Sequence, residues 1–180
     1  MSRRPLDELK MSDSARDLIR RAMFVHPLPF VRRVIFVATP HHGSYVAGSW
    51  LAHQAARLWR APLDLTNVGK EVAALGPDAF AVERLRGAPT AVDNMTPGNR
   101  FVKTLAQLPI APGVVANSII PVKGELPPQG QNDGVVEYDS AHIDGVESEL
   151  VVTHQVHSCQ ANPHTIAEVH RILLEHLETP

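Results

Sequence analysis

The segment Arg33–Thr39 constrains the fold of this chain more than any other part of the sequence. It is a continuous apolar run rich in β-branched residues, Arg-Val-Ile-Phe-Val-Ala-Thr. Such a run, without polar alternation, is typical of a strand buried on both faces of a parallel sheet. A polar turn over residues 40–44, Pro-His-His-Gly-Ser, follows at once. In open α/β sheets ligands bind where strands end, so this turn is a candidate site.

Two further strands are expected downstream. One is Val114–Val122, in which Pro121 marks the end of the strand or an edge because it cannot donate a ladder hydrogen bond. A Gly/Pro-rich loop follows over residues 124–134, and the other strand is Glu149–Thr153. The order of strand, helices, strand, loop, strand and helix predicts the α/β class, with a small and mostly parallel sheet flanked by helices.

Helices are expected on both sides of these strands. The clearest is the last, in which Asn162 is the N-cap, Pro163 holds the first position and an apolar face points inward. That inner face is predicted to be Ile166, Val169, Leu173 and Leu177. The other expected helices are Ser12–Phe24, Ser49–Arg60, Pro77–Leu85 and Pro97–Leu108.

Composition narrows the class of protein. The chain has 180 residues, 44% hydrophobic and 20% charged, which fits one domain or a piece of a larger one. A net charge of -2 argues against a nucleic-acid partner, and no apolar run approaches the length that spans a bilayer. The basic start has no apolar stretch after it, and Cys159 is the single cysteine. We therefore expect a cytoplasmic protein without a transmembrane segment.

Three short motifs carry the chemical information. They are Thr-Pro-His-His-Gly-Ser at residues 39–44, Asn-Asp-Gly-Val-Val at 132–136, and His157-Ser158 ahead of the capped last helix. In this order and context they resemble the C-terminal half of an α/β-hydrolase of the bacterial lipase/esterase kind, and the similarity covers about residues 12–177. The resemblance implies a partial α/β-hydrolase fold, as one domain over residues 1–180 with a helical, cap-like insertion at about 45–108.

The resemblance also implies roles for two residues. Asp133 matches the acid of a Ser-His-Asp triad and His157 matches its base, and both follow strands in the chain order usual for such enzymes. An ionised Asp133 bonded to one ring nitrogen would leave the other nitrogen of His157 to take a proton. The alternatives remain open: Asn-Asp-Gly is also an ordinary turn sequence, and His154 lies close enough to compete with His157.

The nucleophile segment of the family, Gly-x-Ser-x-Gly, does not occur in the sequence. Ser44 is kept as a candidate nucleophile because it follows a strand at the expected edge, although on the wrong strand for the family geometry. Ser49, Ser118 and Cys159 have less support. In the family this segment lies before the first strand found here, so we expect a truncated protein. The strand at 33–39 would then have a bare edge, through which the chain would self-associate or recruit a missing N-terminal half.

The resemblance implies a serine-hydrolase-type protein of the carboxylesterase or lipase class, truncated before its nucleophile, whose substrate is an ester or lipid-like small molecule. Short-chain esters, long-chain lipids, lactones and amides all suit the same triad. The alternative is a non-catalytic interaction protein on a degraded hydrolase scaffold. No cofactor and no metal are expected: His41 and His42 are adjacent, but no His-Glu-x-x-His or Cys-x-x-Cys completes a metal site.

Overall fold

A computed structural model of the protein describes residues 5–24, 26–44, 71, 74 and 95–178. The helices expected near 49–60 and 77–85, and most of the insertion expected at 45–108, lie outside the described residues. The described residues fall into two compact units, residues 5–27 with 71 and 74, and residues 28–44 with 95–178. The single domain over residues 1–180 stays a prediction.

The first unit is built on helix α1, Asp13–Met23, which confirms the helix expected near the N-terminus. Ser12 is the N-cap, and its Oγ accepts a hydrogen bond of 3.2 Å from the backbone N–H of Ala15. The N–H and hydroxyl of Ser12 donate in turn to the carboxylate of Glu71, both at 2.9 Å. The contact ties position 71 to the start of the helix. The same hydrogen bonds stabilise the ionised carboxylate and lower the pKa of Glu71.

The second unit contains a three-stranded sheet formed by β1 (Arg33–Val37), β2 (Val115–Pro121) and β3 (Ser148–Val152). The strand order is β1-β2-β3, and both neighbouring pairs are parallel. This confirms a small parallel sheet and an α/β arrangement. Strand β2 ends at Pro121, as the missing proline N–H predicts.

Burial differs between the strands in a way the sequence analysis did not anticipate. The apolar run in β1 was expected to be buried on both faces, but all its residues are only half-buried. The central strand β2 is instead the buried one, over every residue after Val115. Among the described residues β1 pairs only with β2, and this position at the edge explains its partial exposure.

Among the described residues of this unit, three helices accompany the sheet: α2 (Arg100–Ala106), the short α3 (Tyr138–Ala141) and α4 (Pro163–Glu178). Helix α2 lies within the helix expected at 97–108. Helix α4 begins as expected, because Asn162 Oδ1 accepts a hydrogen bond of 2.8 Å from the backbone N–H of His164. Within the described ranges, we find no helix with the length and apolarity needed to span a bilayer.

Three of the four residues predicted for the inner face of α4 are exposed, and the fourth, Val169, is half-buried. Thr165 and Ile172 are buried, whereas Ile166, Leu173 and Leu177 are 56%, 50% and 79% exposed. A polar contact accompanies this orientation, since Ser148 at the start of β3 donates to Glu168 on the helix at 3.3 Å. Positions 165, 168 and 172 therefore face the sheet, and the apolar period alone could not choose between the two faces.

The apolar core of the second unit lies next to the loop after β2. Its buried members, Ile120, Val122, Val136, Tyr138 and Ala141, form one cluster. The cluster joins the end of β2 to the loop that carries the Asn-Asp-Gly motif. Packing therefore holds that loop against the sheet, at the edge where the strands end.

Candidate active site

All three residues singled out from the sequence lie beyond the carboxyl ends of strands. Ser44 follows β1, Asp133 follows β2 and His157 follows β3. Because the strands are parallel, their carboxyl ends lie at one edge of the sheet, where ligand sites of open α/β sheets form. Two of the three residues are in direct side-chain contact.

Asp133 and His157 form a hydrogen-bonded pair. The imidazole Nδ1 of His157 lies 2.8 Å from Oδ2 of Asp133. The backbone adds a second link, since the N–H of His157 donates to the carbonyl oxygen of Asp133 at 3.1 Å. The Asp133 side chain is 1% exposed and that of His157 is 25% exposed. A buried acid thus orients an imidazole that remains partly accessible to solvent.

The second carboxylate oxygen of Asp133 is held by the backbone of its own turn. Oδ1 accepts hydrogen bonds from the N–H groups of Val135 and Val136, both at 2.7 Å. Asn132 Oδ1 accepts from the N–H of Gly134 at 2.9 Å, and Gly134 has a φ of 96° that favours glycine. The motif is therefore a turn of the ordinary kind, and its aspartate also orients a histidine. The two interpretations left open by the sequence are compatible.

The competing histidine lies elsewhere. The side chain of His154 is 65% exposed, and its Nε2 is 3.7 Å from Oε1 of Glu125. Its φ of 55° places it in a left-handed turn just after β3. After this turn the chain continues to His157, whose side chain contacts Asp133. The structure therefore pairs Asp133 with His157 and not with His154. The sequence favoured His157 only through the spacing of its motif.

Ser44 is buried, with 6% of its surface exposed, and its hydroxyl donates to the backbone carbonyl oxygen of Val135. A nucleophilic serine instead needs its proton directed at the base. The geometry therefore does not favour Ser44 as the nucleophile. Ser49 lies outside the described residues, Ser118 is buried within β2, and burial raises the pKa of the Cys159 thiol.

The adjacent histidines at 41 and 42 belong to the turn after β1. The ring of His41 packs edge-on against Phe36, with ring centroids 4.6 Å apart. Burial, followed by the neighbouring His42, lowers the pKa of His41 and favours its neutral form. No group of three or more His, Cys, Asp and Glu side chains within the described ranges could hold a metal ion.

Sequence reasoning missed a second polar cluster. His142 Nδ1 lies 2.7 Å from Oε2 of Glu149, and the Tyr138 hydroxyl donates to Oε1 of the same carboxylate at 2.7 Å. Burial and the hydrogen bond to Glu149 raise the pKa of Tyr138 to about 12. No motif marks these residues, although Glu149 is a charged residue at the start of the strand predicted over Glu149–Thr153.

Comparison with known proteins gives no independent identification. No protein-family model matches the chain, and no curated protein matches it at a significant level. A buried carboxylate fixing one nitrogen of a partly exposed imidazole can orient a general base, and the edge of a parallel sheet is a suitable place for one.

Proposed function

We propose that this chain is a serine-hydrolase-type protein of the carboxylesterase or lipase class, with Asp133 as acid and His157 as base. The observation that carries the proposal is the Asp133–His157 contact of 2.8 Å, made by a carboxylate that is almost fully buried. The order of the motifs along the chain adds support. The cytoplasmic location expected from the sequence stays a prediction.

The roles follow from the hydrogen bonds. An ionised carboxylate only accepts, so the bond to Asp133 puts the proton of a neutral imidazole on Nδ1 of His157. The lone pair then lies on Nε2, which can take a proton from an attacking hydroxyl and return it to the leaving group. Asp133 holds the tautomer and stabilises the imidazolium that forms in between.

The nucleophile is the part of the proposal that experiment must assign. A hydroxyl that attacks an ester carbonyl has to reach Nε2 of His157 within hydrogen-bonding distance. The Ser44 hydroxyl is bonded to the Val135 carbonyl instead. A reagent that reports the reacting atom directly is therefore the right test.

The test is labelling of the purified chain with a fluorophosphonate, followed by intact mass and peptide mapping. An activated hydroxyl displaces the fluoride, so one adduct on one serine would identify the nucleophile that the missing Gly-x-Ser-x-Gly segment leaves unassigned. General-base assistance contributes about 10²- to 10⁴-fold, so His157→Ala should slow labelling by at least about a hundredfold. The matched control is His154→Ala, which removes an exposed histidine three positions away and should leave the rate unchanged.

Two outcomes would contradict the proposal. Equal labelling rates for the parent chain and His157→Ala would remove His157 as the base. A complete lack of labelling, in a chain whose folding is verified by circular dichroism, would remove the hydrolase function from this chain.

A second candidate function is a non-catalytic interaction protein, and one observation favours it. Apolar side chains on α4 are exposed, above all Leu177 at 79%, and Phe30 ahead of β1 is 77% exposed. Exposed apolar surface of this kind is typical of protein contacts. Self-association, or recruitment of a missing N-terminal half, through the edge of β1 stays a prediction from the sequence. A folded chain without labelling would favour the interaction protein over the hydrolase.

A further inference from the structure

Ser44, the sequence-based candidate for the nucleophile, is bonded to the turn that holds the Asp133 carboxylate. Its hydroxyl donates to the carbonyl oxygen of Val135. That carbonyl belongs to the peptide group whose N–H, on Val136, donates to Asp133 Oδ1 at 2.7 Å. A single planar peptide group therefore connects the serine to the acid.

This connection acts on both the position and the strength of the Val136 hydrogen bond. A peptide group is rigid, so fixing its carbonyl end also fixes the direction of its N–H. Donation to the carbonyl oxygen polarises the amide and makes its N–H a better donor. The N–H of Val135 also binds Oδ1, but it belongs to the preceding peptide group and lacks this link.

Ser44 is itself held firmly. Its backbone N–H donates to the carbonyl oxygen of Met95 at 2.7 Å. Gly43 has a φ of 90°, and a Cβ atom there would meet the same Met95 carbonyl oxygen and the backbone of Pro97. The carbonyl oxygen of Gly43 accepts a hydrogen bond from the Ser140 hydroxyl. The loop after β1 is therefore fixed on two sides before it reaches the acid turn.

We propose that Ser44 is a positioning residue for the Asp133–His157 pair, acting through the Val135–Val136 peptide group. The inference rests on the proposed function for its effect on catalysis, but its structural part is independent of turnover. Ser44 directs the peptide that orients Asp133, and Asp133 directs Nδ1 of His157. Small displacements of a catalytic group have large kinetic effects, so a residue that orients Asp133 affects the reaction rate without contacting the substrate.

The test compares Ser44→Ala with the parent chain by amide NMR. Loss of one hydrogen bond should speed exchange of the Val136 amide by about fivefold and shift its proton upfield. The Val135 amide should change less, which provides a control within the same spectrum. Ser118→Ala removes another buried serine hydroxyl, in β2, and should leave both amides unchanged.

A second variant pair covers the case in which Ser44→Ala fails to fold. Ser44→Thr keeps the hydroxyl, whereas Ser44→Val has the shape of threonine without the hydroxyl. Exchange of the Val136 amide should therefore be faster in the valine variant than in the threonine variant. On ester substrates, Ser44→Ala should lower kcat about fivefold or more and leave KM unchanged, because the pair is misoriented while substrate contacts persist.

The outcomes separate this inference from the proposed function. Unchanged Val136 exchange and chemical shift in Ser44→Ala would overturn the inference even if the chain hydrolyses esters. A fluorophosphonate adduct on Ser44 would overturn it as well, since the serine would then be the nucleophile. Altered Val136 exchange in a chain without ester turnover would support the positioning contact and count against the hydrolase function alone.

Discussion

Among the described residues of the second unit, Asp133–His157 and Glu149–His142 are carboxylate–histidine pairs joined by short hydrogen bonds, and the lengths of the two bonds hardly differ. His157 lies 2.8 Å from Asp133, and His142 lies 2.7 Å from Glu149. Their surroundings differ far more. The Asp133 side chain is 1% exposed, whereas the side chains of Glu149 and His142 are 18% and 44% exposed.

The partners of the second carboxylate oxygen also differ. For Asp133 they are two backbone N–H groups of its own turn, which cannot rotate away. For Glu149 the partner is the Tyr138 hydroxyl, on a side chain that also stacks on His142. Asp133 follows a strand at the carboxyl edge, while Glu149 lies within β3 near its start. Burial, backbone donors and place on the sheet, more than distance, therefore distinguish the proposed catalytic pair from a structural one.

The largest expected effect comes from neutralising each carboxylate in turn. In Asp133→Asn an amide N–H faces Nδ1 of His157 and favours the wrong tautomer, so ester turnover should fall by about 10³- to 10⁴-fold. Glu149→Gln should leave turnover within about twofold, because that carboxylate binds Tyr138 and His142 near the start of β3, whereas His157 follows the end of β3. The measurement is kcat/KM on a p-nitrophenyl ester, with circular dichroism to show that both variants fold.

Either of two results would break this comparison. Equal losses in the two variants would mean that both pairs act on the reaction, or that both act only through stability. A loss confined to Glu149→Gln would move the candidate site to the His142 pair. Urea unfolding of each variant separates a stability effect from a chemical one.

A smaller effect is expected from two glycines, one in the turn of each pair. Gly134 has a φ of 96° and Gly145 has a φ of 80°, so an alanine at either position is strained by about 1–3 kcal/mol. Both variants should therefore lose stability to a similar extent, as measured by urea unfolding. Only Gly134→Ala should also reduce turnover, because it distorts the turn that supplies the donors to Asp133.

Gly145→Ala is the matched control, since open space surrounds a Cβ atom at that position, so backbone strain is its main effect. At Gly134 the Cβ atom would meet the end of the Lys123 side chain, which can move away. A drop in turnover for Gly145→Ala equal to that for Gly134→Ala would show that general destabilisation lowers activity. The Asp133 turn would then have no effect on turnover beyond its contribution to stability.

Local signals in the sequence predicted much of this fold. The apolar run of β1, the proline that ends β2 and the Asn162 cap of α4 each act over a few residues, and each element formed as expected. The failures concern packing between elements. The half-burial of β1 depends on strand order, and the orientation of α4 is accompanied by a polar contact between Ser148 and Glu168. Neither the strand order nor the contact between Ser148 and Glu168 produces a periodic pattern in the sequence.

The site shows the same division. The sequence suggested Asp133 and His157 because their motifs are short and ordered, and the fold brings these side chains into contact. It could not show that Ser44 bonds to Val135, since that contact joins loops 91 residues apart. The pair of His142 and Glu149 was missed for a related reason. His142 directly follows α3 and Glu149 lies in β3. They form no motif, and the fold brings them together across the turn between these elements.

The smallest predicted effect concerns the Tyr138 hydroxyl beside Glu149. Tyr138→Phe leaves Glu149 Oε1 without its phenol donor, so stability near neutral pH should fall by about 1 kcal/mol.

The pKa of Tyr138 is raised from 10.0 to about 12 in the folded chain, by burial and then by Glu149. Above pH 10 the unfolded chain therefore loses this proton more readily, and the parent protein loses stability as the pH rises towards 12. The phenylalanine variant has no such proton to lose, so its disadvantage in urea unfolding should shrink between pH 10 and 12. A constant difference over that range would mean that Tyr138 titrates alike in both states, and that its hydroxyl is not held by Glu149.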